Sequence, residues 1–414
     1  MSNSKKDFDF GELKAVLEDA YAIGEITRIE SITCDEEELL LANDFLPKSN
    51  GSNDSVDVRT SFRIFAETGE YFLKTVSSWI DDSRLRDVET FIEWFNRRST
   101  SPSPVLIVSK GGYNHIKKNG ARYQLFSFIQ QEKRYVWMKP EMTSSDCTFS
   151  GALLAKIHLS AFQFEEEVAS SRSTMFQDSP ALSVKSDIPF RETYESLFEH
   201  VYSRWTHKHP LLSRVRHSNR PLLARFGMAA HIVSCQNDER LLTLVHGDYH
   251  PGNILFSRTD DGHISGSVVD FDHMRWEHPF YDIAYALIMF ARKPVTNSDT
   301  TDVSSFGMQR IDWSLARSFI DGYVNALRSI PSDSIKLQSF KSELVKTDAN
   351  LLGWYMNLGC YLILAWAAEK VNFGSDSFSE VYLGVLEMSY HLLCDDAFHY
   401  AEKIWSASMN ESPV

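Results

Sequence analysis

Long apolar runs are missing from this chain of 414 residues. The longest, LGCYLILAWAA from Leu358 to Ala368, falls well short of the ~20 residues that span a bilayer and reads as a buried helix. Cysteine is scarce too. Cys34, Cys147, Cys235, Cys360 and Cys394 never fall as C-x-x-C, which argues against a thiolate zinc site or a disulfide framework and predicts reduced thiols in a cytoplasmic protein. Basic residues are outnumbered, 42 Lys and Arg against 56 Asp and Glu, for a formal net charge of −14. That balance speaks against duplex nucleic acid or an anionic membrane as the main partner and favours a cationic ligand. The N-terminal stretch MSNSKKDFDFGELKAVLEDA has no apolar core of the kind a signal peptide carries.

What is present is the composition of an ordinary globular protein, 43% hydrophobic and 24% charged, in a chain long enough for two packed units. FGELKAVLEDAYAI carries helical spacing, and TSFRIFAETGEYFLKTV reads as two strands turning at Thr68-Gly69 with Lys74 in the second. RLRDVETFIEWFNRR has Leu85, Val88, Phe91, Ile92 and Phe95 on one helical stripe, with Glu89 beside it. PVLIVS and YQLFSFI follow as strand candidates. From Phe149 onward the pattern is mainly helical, apart from two short strands around 244–270. The expected fold is therefore α+β, with a small β-rich unit over 1–125, a hinge at 126–130 and a larger, mainly α-helical unit over 131–414. Polar insertions at 42–57 and 169–189 read as loops.

The densest polar chemistry lies in LVHGDYHPGNILF, Leu244 to Phe256, and in SGSVVDFDHMRWEHPFYDIAYAL, Ser265 to Leu287. LLTLV and NILFS bracket HGDYHPG, so Asp248 falls on a tight loop that Pro251-Gly252 turns. If GSVVD returns as the partner strand of a hairpin, Asp248, Asn253 and Asp270 meet. Two carboxylates and a carboxamide are hard oxygen ligands suited to Mg²⁺. Phosphoryl transfer needs little more: a carboxylate to take the nucleophile's proton and a lysine on phosphate oxygens. Lys74 can supply the lysine, Glu89 can hold it by an ion pair, and the backbone between Phe126 and Gln130 can face an adenine edge.

HGDYHPGN followed by VVDFD and FYDIA resembles the signature of the aminoglycoside phosphotransferase and choline kinase superfamily, small-molecule kinases that share the protein-kinase fold. GEYFLK is similar to its phosphate-binding strand, RLRDVETFIEWF to its Glu-bearing helix, GALLAKIH to the helix after its hinge, and FIDGY to a segment of its C-terminal lobe. The resemblance covers residues 10 to 405 and implies a bilobal kinase-like fold. It implies Asp248 as catalytic base, Asn253 and Asp270 as metal ligands, and Lys74 with its ion-pair partner Glu89 as the nucleotide-binding pair. Phe126 and Phe128 fall in the adenine-facing hinge, while His246 and Asp282 support the catalytic loop. The implied cofactors are ATP and Mg²⁺, and the implied partner is a small-molecule acceptor with a hydroxyl and an amine. The glycine-rich phosphate loop of protein kinases has no counterpart in NGSNDSVDVRTSF, Asn50 to Phe62.

Other readings stay open. A protein Ser/Thr kinase or a catalytically silent nucleotide-binding scaffold would use the same residues. A zinc hydrolase built on His246, His250, Asp270, His273 and His278 is disfavoured because Pro251 follows His250 and ends any helix there. Trp354, Tyr355, Tyr361 and Trp366 share a helical pattern and are expected in the core. Glu277, Asp312 and Asp321 are expected to be solvated or capping.

Overall fold

The computed structural model describes residues 10–32, 61–76, 80–98, 103–118, 120–130, 133–134, 141–171, 239–258, 263–294, 309–331, 334–373 and 398–410, with short pieces between 225 and 233 and between 388 and 393. The insertion at 42–57, the loop before Ser61, residues 172–189 of the second insertion and the helical pattern at 190–205 lie outside the described residues. The chain divides into two compact units, one of residues 1–97 with 102–130, the other of 98–101 with 131–414.

The first unit is an antiparallel sheet of order β1-β2-β3-β5-β4, built from β1 (Ile26–Ser31), β2 (Ser61–Ala66), β3 (Gly69–Val76), β4 (Ile116–Lys118) and β5 (Ala121–Ser127). Phe62 faces Leu73 and Leu73 faces Leu125 in the register, so one side of the sheet is a continuous apolar stripe. Leu13 and Leu17 of α1 (Phe10–Ala20) join that core. Side chains alternate across a strand. Lys74 and its register partner Gln124 therefore occupy the opposite face, as does Val76, which clusters with Leu85 of α2 (Asp82–Arg98). The expected strand PVLIVS is instead an irregular segment with a single bridge, Leu106 to Phe126. Pro104, at its start, has no N–H to give a ladder. β1 and β4 were not evident in the sequence, because ITRIES and IKK alternate too weakly to stand out.

The second unit is organised on α3 (Ser144–Ser171) and α5 (Trp313–Ser329). These helices touch backbone to backbone: a Cβ on Gly151 would lie 1.9 Å from the Phe319 carbonyl oxygen, and one on Gly322 would lie 2.0 Å from that of Thr148. Asp312 N-caps α5 through Ser314 N and Leu315 N. α4 (Phe280–Phe290) packs with α7 (Ala349–Phe373), which also meets α8 (Phe398–Asn410); α6 (Ile335–Lys346) lies near α3. α7 contains the apolar run noted above, and its Tyr355, Cys360 and Tyr361 are buried. Among the described residues no helix is long and apolar enough to cross a membrane.

Three small sheets complete this unit. β8 (Ile254–Arg258) and β9 (Ile264–Val268) form the expected hairpin, flanked by β6 (Lys133–Arg134). β7 (Thr243–Val245) pairs with β10 (Arg275–Glu277) and β11 (Arg292–Pro294) with β12 (Gln309–Ile311).

Candidate active site

β7 delivers the chain into His246-Gly247-Asp248, and the ladder of β7 with β10 brings this loop beside residues 271–275. Gly247 adopts φ +83°, and a Cβ there would lie 2.1 Å from the His273 carbonyl oxygen; only glycine fits. His250 then caps a short 3₁₀ turn over Pro251–Asn253, its Nδ1 accepting from Gly252 N. β8 begins at once. Ile254 pairs with Val268, and Val269 N donates to the Asn253 carbonyl at 3.0 Å. The hairpin thus puts Asn253 and Asp270 on neighbouring strand ends, with Asp270 at φ 62°, the only non-glycine residue with positive φ among the described residues. Such a conformation is tolerated where the surrounding structure over-determines it.

Asp282 in the first turn of α4 ties the loop down. Its Oδ2 accepts from His246 N at 2.6 Å and its Oδ1 from Gly247 N at 2.9 Å. His158 Nε2 reaches Oδ2 at 3.1 Å, and His158 Nδ1 is 2.9 Å from the Tyr323 hydroxyl. α3, α4 and α5 are thereby joined through one carboxylate. Burial pushes Asp282 up, but His158, His246 and the Gly247 N–H outweigh it and hold the carboxyl below the usual range. His246 has both ring nitrogens engaged: Nδ1 lies 3.3 Å from Asp248 N and Nε2 3.0 Å from Val269 O. A ring so engaged is not a metal ligand, which removes one corner of the zinc reading.

Asp248 is nearly buried, 8% exposed. Tyr285 donates its hydroxyl to Oδ1 at 3.0 Å, Asn253 Nδ2 is 3.4 Å from Oδ2, and His250 Nε2 is 3.5 Å from the same oxygen. Burial opposes the charge, yet His250, His273 and His246 hold the carboxyl far below its ordinary range. It is an anion throughout the neutral range. Asn253 Nδ2 donates to the Asp248 carbonyl at 2.9 Å, which fixes the amide and turns its oxygen end away from Asp248. A carboxamide and a carboxylate carried on adjacent strand ends, Asn253 and Asp270, are oxygen donors of the kind that fit Mg²⁺, which takes one or two carboxylates and completes its shell with water and phosphate. No group of three or more His, Cys, Asp or Glu able to hold a metal is found among the described residues.

In the sheet unit, Lys74 Nζ lies 6.0 Å from the centre of the Phe126 ring. Glu89 is buried on α2, and among the described residues its carboxylate is met by partners other than Lys74. Gln124 Nε2 donates to Oε1 at 2.8 Å, Asn114 Nδ2 to Oε2 at 3.2 Å, and His115 Nδ1 lies 3.6 Å from Oε1. Gln124, the register partner of Lys74, gives Glu89 the shorter of these two amide bonds. Burial raises the Glu89 pKa in spite of these partners. The hinge expectation also needs correction at Phe128: its N–H is spent on Glu70 O at 3.0 Å, and Ser127 N on Val105 O at 2.8 Å. The Phe128 ring is stacked by the Arg63 guanidinium, 4.2 Å from its centre.

Glu277, expected to be solvated or capping, is buried, accepting from Tyr355 OH at 3.0 Å and His278 N at 2.9 Å. Sequence reasoning also missed His158, Tyr285, Gln124 and Asn114. Tyr285 follows Tyr281 by four residues in FYDIAYAL, a helical repeat pointing back to the catalytic loop; nothing local marks the other three.

The sequence model of the phosphotransferase enzyme family matches residues 52–314. No curated protein matches the chain. Among solved structures, a spectinomycin phosphotransferase in complex with ADP and spectinomycin is similar at 13% identity and TM-score 0.55, covering 94% of this chain and 98% of that one. The amicoumacin kinase hAmiN, in complex with AMP-PNP, Ca²⁺ and Ami, is similar at 13% identity and TM-score 0.53, with 95% and 97% covered. A structure described as an aminoglycoside phosphotransferase from Ralstonia eutropha is similar at 12% identity and TM-score 0.52, with 96% and 99% covered. At such identities the likeness speaks for the fold, and the fold is the kinase-like one expected.

Proposed function

The chain belongs to the phosphotransferase enzyme family, and from that premise we propose that this small-molecule phosphotransferase moves the γ-phosphate of ATP to a hydroxyl of a small, amine-bearing acceptor in the cytoplasm. The observation that carries the reading is Asp248. It is a nearly buried carboxylate kept ionised on a rigid loop, 3.4 Å from an Asn253 amide whose oxygen end faces elsewhere. A general base must be ionised before the reaction and fixed in direction. Asp248 meets both demands and is assigned to accept the acceptor's hydroxyl proton. Asn253 and Asp270 are assigned to Mg²⁺, which when bound neutralises phosphate charge and orients the transferring group. Lys74 is assigned to phosphate oxygens, and Glu89, through Gln124, to the face of the sheet that presents it. His246 and Asp282 hold the loop. Phe126 and Phe128 are assigned to the stretch that faces the nucleotide's base, through backbone groups other than the Phe128 N–H, which is already engaged.

The amine in the acceptor rests on the net charge of −14. Buried thiols fit a reducing compartment: burial pushes Cys147 up to about 12.

Purified protein would be assayed with Mg²⁺ and ATP or GTP against aminoglycosides, amino alcohols, homoserine, choline and a generic protein acceptor, beside Asp248→Asn. The expected result is turnover dependent on a small acceptor. Asp248→Asn should lower kcat by roughly 10²- to 10⁴-fold and keep nucleotide binding. Near wild-type turnover in that variant would remove Asp248 as the base. Label on protein alone would favour a protein kinase, and tight nucleotide binding with no transfer would favour a silent scaffold.

A further inference from the structure

The two oxygens of Asp248 are not equivalent. Oδ1 receives a hydroxyl bond, from Tyr285 at 3.0 Å, whereas among the described residues Oδ2 is met by the longer approaches of Asn253 Nδ2 at 3.4 Å and His250 Nε2 at 3.5 Å. Tyr285 is well placed for a permanent role. It stands on α4 one turn beyond Asp282, whose carboxylate already fixes the loop that carries Asp248. The donor and the base therefore hang from the same helix, and their separation does not depend on a flexible connection. Burial, and next to it the Asp248 charge, push the phenol's pKa well above the ordinary value, so the hydroxyl keeps its proton and donates.

We infer that Tyr285 is a positioning residue for the base, anchoring Oδ1 of Asp248 and leaving Oδ2 as the oxygen that takes the acceptor's proton. This rests on the assignment of Asp248 under the proposed function. A carboxylate on Cβ rotates over a broad, roughly two-fold torsion. A donor on one oxygen selects a single setting of that torsion. In the reaction, the acceptor's O–H proton passes to Oδ2 while the acceptor oxygen forms its bond to the γ-phosphorus. The bond from that phosphorus to the bridging oxygen breaks, and ADP leaves with the electron pair. The phenol keeps its own proton throughout and is not consumed.

Tyr285→Phe keeps the ring and removes only the donor. Two readings are taken on the full chain: the carboxyl ¹³C resonance of Asp248, identified by its loss in Asp248→Asn, and the kinetics of acceptor-dependent turnover with Mg²⁺ and ATP. The resonance should move in Tyr285→Phe, kcat should fall on the order of tenfold, as for a small loss of alignment, and the KM for nucleotide should stay within about twofold. Tyr281→Phe, one turn earlier on the same helix, should leave the Asp248 resonance in place. Replacing Tyr285 by a fluorotyrosine, a stronger donor, should move the resonance in the opposite direction, and this arm remains decisive if the phenylalanine variant does not fold. A resonance unmoved by both replacements, or a kcat unchanged in Tyr285→Phe, overturns the inference. A moved resonance in a protein that transfers phosphate to no acceptor upholds the anchoring and counts instead against Asp248 as a base.

Discussion

Asp282 and Glu89 are buried to the same degree, 0% and 2% exposed, and their carboxyls are driven in opposite directions. Asp282 is held below the usual range and Glu89 above it. The difference lies in the donors. Asp282 accepts two backbone N–H groups at 2.6 and 2.9 Å and an imidazole at 3.1 Å, all fixed by secondary structure. Glu89 is met by two neutral side-chain amides at 2.8 and 3.2 Å, and its imidazole neighbour is 3.6 Å away. Burial disfavours the anion in both places; only aligned donors and nearby positive charge reverse it. Backbone N–H groups cannot rotate away, so Asp282 serves as a permanent strut. Carboxamides can, so Glu89 has a replaceable set of partners.

The strongest way to break this comparison is Asp282→Asn. The amide keeps the volume but presents N–H₂ to a backbone N–H or to His158, leaving buried donors unanswered. A loss of about 3 kcal/mol at neutral pH is expected in urea unfolding. Because the folded pKa of Asp282 is depressed, its contribution is present above the unfolded value, about 3.9, and is lost as pH falls through the folded one. The deficit of the variant should therefore shrink in acid. A deficit constant with pH would mean that the carboxylate's charge is not what stabilises the loop. His158→Gln is a smaller blow. It keeps one donor for Asp282 but gives up the ring and its Tyr323 partner, with an expected cost of about 1–2 kcal/mol. A cost equal to that of Asp282→Asn would show that the imidazole, rather than the two backbone donors, carries the difference from Glu89.

The sequence made one of these carboxylates more legible than the other. Asp248, Asn253, Asp270 and Asp282 lie within a few dozen residues, on a turn, a hairpin and a helix start whose local signals are strong. Pro251-Gly252 and the runs NILFS and GSVVD define the hairpin, and the structure brings Asn253 and Asp270 together through the Ile254 to Val268 pairing. Glu89 was readable as a residue beside an apolar helical stripe, but not its partners. Gln124 and Asn114 come from β5 and from the irregular segment before β4, and their approach depends on a strand order, β3-β5-β4, that no local pattern encodes. His158 was invisible for the same reason, lying 124 residues from Asp282 in sequence and meeting it only in the folded chain. Short strands such as β4 and β10 carry too few residues to show an alternation. Glu277 misled because charge at a strand end usually means solvent, whereas Tyr355 of α7 covers it.

The finest test of the comparison is the pH dependence of Glu89→Gln. Since the folded pKa of Glu89 is raised, the protein binds its proton more tightly when folded. The associated stability is fully present below the unfolded value, about 4.3, and is lost as pH rises through the folded pKa. Glutamine cannot ionise and removes that slope. It also turns one acceptor into a donor that must face Gln124 or Asn114, so the variant should begin below wild type in acid by about 1 kcal/mol. The gap should then close as pH rises, because the wild type alone must ionise a buried group. Urea unfolding of both proteins from pH 4 upward measures the two slopes. Parallel curves would mean that Glu89 is already ionised at the bottom of the range, and that its amide partners hold the anion as firmly as the backbone holds Asp282.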